Sequence, residues 1–246
     1  MADDKTENGL CNTGIRTLDS ALGGTNGGIP KGSCVLLAGS SGSGKTILSS
    51  EFLFRGVNDY NEKGVLVCLS ESKNKMINNL KKFGFYDKNA VDKGDIYFLD
   101  MEIADKLREM LLLNPATLVR TIVDVVKDVG AKRLVIDSIT AICNSLSDKS
   151  EMRDFIFRLG AELASLDCTS ILISEIPPRQ YVFSVFGVEE FIADGIIHLS
   201  DFERPNSNIA RTLQIVKMRG VKHNMDKHFM TITGDGIVIM PIVGKK

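Results

Sequence analysis

The chain has 246 residues, of which 43% are apolar and 25% are charged, which is ordinary for a globular protein and provides ample material for a core. Its formal net charge of −1 gives no overall basic field, so nucleic-acid binding would need a local basic patch and is not favoured. No apolar stretch approaches the roughly 18 residues that a membrane-spanning helix needs, so we expect no membrane partner.

The N-terminal residues and the cysteines bear on location and domain organisation. Met1–Asn8 is polar and lacks the apolar segment of a signal peptide. The five cysteines are widely spaced and form no C-x-x-C pair, so neither a zinc site nor disulfides are predicted, and free cysteines are typical of a reducing compartment. We therefore expect a cytoplasmic protein with a flexible tail over residues 1–12 and a single domain over residues 13–246.

The stretch from Cys34 to Thr46 carries the most specific motif of the chain. Its apolar start predicts a buried strand, and helical spacing of apolar residues follows the motif. Between them, eight residues fit the pattern G-x-x-x-x-G-K-[ST]: Gly39, Ser40, Ser41, Gly42, Ser43, Gly44, Lys45 and Thr46. The glycines let backbone N–H groups converge on phosphate oxygens at the start of a helix. A flexible Gly/Ser turn is the alternative, but it explains neither the strand nor the helix, so the motif predicts a nucleoside triphosphate site.

Individual side chains can be assigned to this site. Lys45 can reach the β- and γ-phosphates, and the Thr46 hydroxyl can ligate Mg²⁺. Asp137 ends an apolar run, where P-loop folds place a carboxylate that holds Mg²⁺ directly or through water. Glu71 also follows a buried strand, so it is expected either to orient the attacking water or to serve as a helix N-terminal acid. Ser174, at the end of a further strand, is expected either to sense the γ-phosphate or to cap a turn.

Strand and helix patterns alternate through most of the chain. Continuous apolar runs predict buried strands at Val35–Ala38, Val65–Leu69, Ile96–Leu99, Arg133–Asp137 and Thr169–Ser174. Helical spacing predicts helices between them, and from Gly195 onward short strands are separated only by turns. The sequence therefore predicts an α/β fold with a mainly parallel twisted sheet, helices on both faces and an antiparallel C-terminal extension.

Lys217 and Arg219 are two residues apart in one of these late strands and therefore share a face of it. A solvated strand face is the simpler interpretation. Two cations that project together are nevertheless what a γ-phosphate in a neighbouring subunit would need. The three histidines have no metal-ligand spacing and are expected to be structural.

Several segments together resemble the RecA superfamily of P-loop ATPases: the run from Thr13 to Thr46, then Leu69–Ser72 and Val135–Thr140. Three more segments are similar to the KaiC branch of that superfamily: Phe186–Asp194, Lys217–His223 and Thr231–Ile237. The resemblance covers residues 13–241 and is to one KaiC domain standing alone, as in archaeal KaiC-like ATPases.

The resemblance implies an Mg-dependent ATPase that assembles as a homohexameric ring, binds ATP at subunit interfaces and couples the nucleotide state to a regulatory partner. It implies that Lys217 and Arg219 act in trans on the neighbour's γ-phosphate. It also implies that Glu71 activates the attacking water.

The chain departs from KaiC domains at two places. KaiC domains have two adjacent glutamates after the strand that precedes Glu71, and Ser70 replaces the first, which predicts slow or altered hydrolysis. Glu190 and Phe191 stand where the autophosphorylating KaiC domain has Ser and Thr, which favours a plain ATPase over an autokinase.

Two other functions stay open at this point. One is a RecA/RadA-like DNA-binding paralogue in recombination or repair, in which Arg179 and Tyr181 of the loop Pro177–Phe186 meet a nucleic-acid strand. The other is an oligomeric scaffold that binds ATP but barely hydrolyses it.

Overall fold

The computed structural model of the protein describes residues 9–100, 115–144, 146, 148–178, 180–203 and 209–242. The strands are β1 (Leu10–Cys11), β2 (Ile29–Pro30), β3 (Cys34–Gly39), β4 (Gly64–Cys68), β5 (Ile96–Asp100), β6 (Arg133–Asp137), β7 (Thr169–Glu175), β8 (Gly195–Glu203), β9 (Ile209–Met218), β10 (His228–Thr233) and β11 (Gly236–Pro241). The helices are α1 (Arg16–Ala21), α2 (Lys45–Tyr60), α3 (Lys73–Leu80), α4 (Lys88–Asp92), α5 (Pro115–Val129), α6 (Ile139–Cys143), α7 (Lys149–Ala164) and α8 (Glu189–Ile192).

Nine strands form one sheet in the order β11-β10-β9-β8-β3-β7-β6-β4-β5. The neighbouring pairs from β8 to β5 are parallel, and β8, β9, β10 and β11 pair antiparallel in chain order. This confirms the predicted parallel sheet with an antiparallel C-terminal extension. Parallel strands need crossover connections, which is why helices separate β3, β4, β6 and β7 along the chain.

Two clusters of buried apolar residues cover the two faces of the sheet. In β3, Val35 and Leu37 belong to one cluster and Leu36 to the other, because successive side chains of a strand point to opposite faces. Residues of α1, α2, α3 and α4 pack in the first cluster, and residues of α5, α6 and α7 pack in the second. Across the described residues, every helix falls short of the length or the apolar content of a bilayer-spanning segment.

The ordered part of the chain begins before the predicted domain start at residue 13. Leu10–Cys11 pairs antiparallel with Ile29–Pro30, and Cys11 is buried. A side chain at Gly28 would place its Cβ 2.6 Å from the Cys11 carbonyl oxygen, so this close pairing requires glycine. The predicted tail is therefore corrected: Leu10 and Cys11 belong to the folded domain, and residues 1–8 lie outside the described residues.

Arg133, the first residue of β6, is fully buried although sequence pattern alone treated it as an ordinary strand residue. Its guanidinium donates to the Glu62 carboxylate at 2.7 Å and to the carbonyl oxygens of Phe52 and Asn12 at 2.8 Å each. Its guanidinium also lies over the Phe52 ring at 4.6 Å. The buried charge is thereby paired and hydrogen-bonded, and it connects the N-terminal segment to α2.

The outer strand β11 has its free edge covered by helix side chains. The Ile237 N–H donates to the Glu51 carboxylate of α2 at 2.7 Å, and the Ile239 N–H donates to the Thr17 hydroxyl of α1 at 3.2 Å. These contacts occupy backbone donors that an edge strand would otherwise present to solvent. They also attach the C-terminal hairpin β10–β11 to the helix that follows the phosphate loop.

Candidate nucleotide-binding site

The phosphate loop joins the C-terminal end of β3 to the first turn of α2. Gly42 and Gly44 have φ angles of 77° and 102°, a region that only glycine occupies without strain. A Cβ on Gly44 would also lie 3.1 Å from the Ile232 side chain, so the C-terminal hairpin packs directly against the loop. The backbone N–H groups at the start of α2 have no earlier helical turn to bind, which suits them to an anionic ligand.

Lys45 is held inside this loop and is only 6% exposed. Its Nζ donates to the carbonyl oxygens of Gly39 at 2.9 Å and Ser40 at 2.8 Å. Burial lowers the pKa of Lys45, and the negative charges of Glu175 and Asp137 oppose that shift. The Lys45 ammonium is thus held by loop carbonyls and lies near two carboxylates. It is placed where its positive charge could pair with the phosphates of a bound nucleotide.

Thr46 and Asp137 meet where β3 and β6 end on the same side of the sheet. The Thr46 hydroxyl donates to Asp137 Oδ2 at 2.6 Å, and Asp137 is 4% exposed. Burial raises the pKa of Asp137, while the hydrogen bond from Thr46 and the charge of Lys45 act in the opposite direction. The buried carboxylate would therefore gain from an added positive charge.

The Thr46 hydroxyl and the Asp137 carboxylate are suitable oxygen ligands for Mg²⁺. A hydroxyl and a carboxylate are hard ligands, and Mg²⁺ at nucleotide sites takes its remaining ligands from phosphates and water. Among the described residues, no group of three or more His, Cys, Asp and Glu side chains could hold a metal ion on its own. A metal that depends on bound phosphate is consistent with such a sparse donor set.

The remaining loop serines differ in their surroundings. Ser41 and Gly42 are exposed and Ser40 is half-buried, so this part of the loop is open to a ligand. The Ser43 hydroxyl is buried and has no hydrogen-bond partner within the described residues, and it lies beneath Gly39. The structure thus brings the predicted loop residues together around one concave turn.

Glu71 lies between β4 and α3, at the same edge of the sheet as Asp137. Its charge contributes to raising the pKa of Asp137, and its carboxylate forms an ion pair with Lys75 at 3.4 Å. Ser72, rather than Glu71, caps α3 by accepting a hydrogen bond from the Lys75 N–H. Glu71 directly precedes this cap, so it still fits a helix N-terminal acid as well as a residue that orients the attacking water.

Ser174 does not lie where the strand pattern suggested. Leu172, two residues before it, packs in the cluster opposite α2, so the Ser174 side chain also points away from the phosphate loop. Its hydroxyl is fully buried and has no hydrogen-bond partner within the described residues. Ser174 was expected either to sense the γ-phosphate or to cap a turn, and its orientation favours neither role; β7 extends one residue further to Glu175, which alternation with Ile171 and Ile173 places on the face of α2.

Lys217 and Arg219 lie at the opposite ends of the strands from the phosphate loop, where β3 and β8 begin. Lys217 pairs with Ile196 at the start of β8, and its Nζ donates to the Ala193 carbonyl oxygen at 2.7 Å. Arg219 forms an ion pair with Asp194 at 3.2 Å and keeps 59% of its side chain exposed. Burial and the charge of Arg219 lower the pKa of Lys217.

The separation between these cations and the phosphate loop is large. The Asp194 N–H, beside Arg219, donates to the carbonyl oxygen of Cys34, the first residue of β3. The loop begins five residues later at Gly39, which corresponds to roughly 16 Å along a parallel strand. Lys217 and Arg219 are therefore not brought together with Lys45 within one chain.

Sequence reasoning missed two charged residues near the loop. Arg211, in β9, donates from Nε to the Gly42 carbonyl oxygen at 3.2 Å, and Glu175 affects the pKa of both Lys45 and Asp137. Arg211 is far from the loop in sequence, so no local pattern indicated it. Glu175 directly follows Ser174. The sequence does not show which face of β7 packs against α2, and that face is what distinguishes Glu175 from Ser174.

The loop that suggested DNA binding is only partly described. Arg179 lies outside the described residues. Tyr181 is 61% exposed, and its ring contacts Phe183 and His198 at centroid distances of 5.0 and 5.6 Å. His198 itself is buried, as expected of a structural histidine.

The strand order and the phosphate loop after β3 define a P-loop ATPase domain of the RecA type. Comparison with known proteins identifies the branch: the family described as "ATPase: KaiC" matches residues 11–244. The chain belongs to this family.

Relatives of similar and of greater length are found. The chain is 35% identical to the UPF0273 protein MJ1359 of Methanocaldococcus jannaschii, over 93% of this chain and 95% of that protein. It is 34% identical to circadian clock oscillator protein KaiC 1 of Synechocystis over 89% of this chain, but it spans only 42% of the length of that protein. The crystal structure of KaiC-like protein PH0186 from Pyrococcus horikoshii superimposes with a TM-score of 0.83 at 34% identity, covering 94% of this chain and 99% of that one.

Proposed function

We propose that the protein is a cytoplasmic, Mg-dependent ATPase that assembles as a homohexameric ring and hydrolyses ATP at the interfaces between subunits. Its nucleotide state is then read by a regulatory protein partner. The family supplies the ATPase assignment, and the ring, the metal dependence and the hydrolysis are our proposal.

The observation that carries the proposal is the position of Lys217 and Arg219. These cations lie at the edge of the sheet opposite the phosphate loop, and Arg219 is largely exposed. A cation in this place can meet a γ-phosphate only if the phosphate belongs to another copy of the chain. If each site is built from two chains, every chain contacts one neighbour through its phosphate loop and the other through Lys217 and Arg219. Such head-to-tail contacts repeat from chain to chain and favour a closed ring.

The residues of the phosphate loop would bind and orient the nucleotide. Backbone N–H groups from Gly39 to Thr46 surround the phosphates, and the Lys45 ammonium transfers its hydrogen bonds from loop carbonyls to phosphate oxygens. Thr46 and Asp137 would hold Mg²⁺, which supplies charge neutralisation on the β- and γ-phosphates when bound.

Glu71 would act on the attacking water. A carboxylate beside the γ-phosphate can accept the proton that water loses as it attacks phosphorus, and the leaving group is ADP. The partner subunit contributes Lys217 and Arg219, which would stabilise the charge on the transferred phosphoryl group. Ser70, which replaces a second carboxylate, donates to the Ser138 hydroxyl at 3.4 Å and offers no base of its own, consistent with slow hydrolysis.

Autophosphorylation is not part of the proposal. Phe191 is 67% exposed but has no hydroxyl to accept a phosphoryl group. Glu190, which is half-buried, likewise has no hydroxyl to accept a phosphoryl group.

Phosphate release measured beside particle mass tests the proposal. With ATP and Mg²⁺ we expect a mass of six chains and steady hydrolysis, and with EDTA we expect hydrolysis to stop. A monomer that hydrolyses ATP at a rate independent of protein concentration would contradict the shared site.

DNA binding is not favoured by any described contact, and the same preparation tests it. Fluorescence anisotropy with single-stranded DNA at low salt should show no binding. Binding that weakens steeply with added salt would restore the repair function as the better interpretation.

A further inference from the structure

Glu175 is a charged residue at the phosphate loop for which the proposed mechanism has no use. It is the last residue of β7 and pairs in parallel register with Gly39, the first residue of the loop. Its N–H donates to the Thr140 hydroxyl at 2.9 Å, and the N–H of Ile176 donates to the Gly39 carbonyl oxygen at 3.2 Å. The backbone that carries Glu175 is therefore fixed on both sides.

Strand alternation determines the face on which Glu175 lies. Ile171 and Ile173 of β7 pack in the same cluster as the apolar residues of α2, so Glu175 points to that face as well. Asp137 follows the same rule through Val135. The two carboxylates thus project from neighbouring strands toward the helix that begins with Lys45.

The charge of Glu175 acts on the residues that would bind phosphate. Burial lowers the pKa of Lys45, and the charge of Glu175 opposes that shift; burial raises the pKa of Asp137, and the charge of Glu175 adds to it. The Lys45 ammonium is hydrogen-bonded to the Gly39 carbonyl, and Gly39 is also the register partner of Glu175. Glu175 therefore helps to hold the ammonium at the loop carbonyls, close to where a third phosphate adds negative charge.

We propose that Glu175 is a positioning residue that weakens the binding of nucleoside triphosphate relative to diphosphate. The inference rests on the proposed ATP site and adds a determinant of its preference. The carboxylate of Glu175 would repel the additional negative charge of the γ-phosphate, which ADP lacks. It also competes with the γ-phosphate for the Lys45 ammonium. A bound nucleoside triphosphate would then dissociate more readily than it would from a site without this carboxylate.

The test compares dissociation constants for a non-hydrolysable ATP analogue and for ADP by titration calorimetry with Mg²⁺. Glu175→Gln removes the charge and keeps the shape, and we expect it to shift the ratio of the two constants toward ATP by about tenfold. Glu175→Asp keeps the charge and should stay near the wild-type ratio. Glu162→Gln removes an exposed charge on α7 and is the matched control.

The salt dependence gives a second measurement that a purely structural role would not affect. Raising the ionic strength should narrow the difference between wild type and Glu175→Gln, because exposed charges are screened. A Glu175→Gln protein that binds both nucleotides with an unchanged ratio overturns this inference alone. Wild-type protein that binds neither nucleotide overturns the proposed function and the inference together.

Discussion

The two ends of the parallel strands, called here the C-terminal and the N-terminal edge of the sheet, carry different kinds of charged groups. At the C-terminal edge, Lys45 and Asp137 are buried and Thr46 is half-buried, and all three are hydrogen-bonded to one another or to the loop. At the N-terminal edge, Arg219 is exposed, and its partner Asp194 is half-buried and also accepts a hydrogen bond from the Cys34 N–H. A residue that binds within its own chain is preorganised by its neighbours, whereas a residue that serves another chain must stay accessible.

In the proposed ring, the buried edge would bind the nucleotide, and the exposed edge of the neighbouring chain would supply charge to the transition state. Substitutions at each edge separate these two contributions.

The largest effect is expected at the exposed edge. Arg219→Ala should lower the rate of ATP hydrolysis about 1,000-fold while ATP affinity stays within a few fold, because an arginine supplied in trans acts mainly in the transition state. Steady-state kinetics and nucleotide titration measure the two quantities. Arg153→Ala, which changes an exposed arginine on α7, should leave both unchanged.

Subunit mixing sharpens this result. Arg219→Ala and Lys45→Ala subunits should each be inactive, and an equal mixture should recover about a quarter of the wild-type rate, the share of suitable neighbours in random rings. A mixture that stays inactive would indicate that Arg219 acts in the site of its own chain. The two edges would then not differ in which chain they serve.

A smaller loss is expected at Glu71, which we propose to activate the attacking water. Glu71→Gln should lower kcat by about 100-fold, because general-base catalysis typically contributes at least this factor. ATP affinity should be retained, and Lys75→Gln, which removes only the ion-pair partner, is the control. Hydrolysis at the wild-type rate in Glu71→Gln would exclude Glu71 as the base.

Binding itself depends on the buried edge. Lys45→Ala should weaken ATP about 100-fold, since hydrogen bonds to charged groups contribute roughly 3 kcal/mol. Lys31→Ala, at an exposed position before β3, should bind ATP normally. Equal affinity for ATP in the two variants would contradict the role of the phosphate loop.

The smallest effect concerns stability beside the loop. His198 pairs with Ala38 of β3, and burial followed by the charge of Lys227 lowers its pKa from 6.5. The unfolded chain therefore binds a proton more readily, so the free energy of unfolding should fall as the pH drops below about 6.5. His198→Phe should reduce this loss, because it removes the group that gains a proton on unfolding. Urea midpoints at pH 7, 6 and 5 measure it, and an unchanged pH dependence in His198→Phe would be the contrary result.

The sequence was most informative where function is local. The phosphate loop needs consecutive residues with defined backbone freedom, so its motif could be read directly, and Asp137 followed from the strand that precedes it. The parallel order of the sheet followed from continuous apolar runs, which indicate burial on both faces.

Long-range contacts could not be predicted in this way. Arg211 reaches the loop from β9, and Arg133 is buried because Glu62 lies beside it in the folded chain. The apolar run of β7 ends at Ser174, so the sequence pattern points to Ser174 and not to Glu175, because the phase of the strand relative to α2 is not visible in the sequence. In each case the missing information was which residues tertiary packing brings together.

The covered edge of β11 has a consequence for assembly. Glu51 and Thr17 satisfy the outward N–H groups of Ile237 and Ile239, so a strand from another molecule would have to displace them before it could pair. Extension of the sheet from copy to copy is thereby disfavoured, and the protein is protected from indefinite fibrous growth along this side.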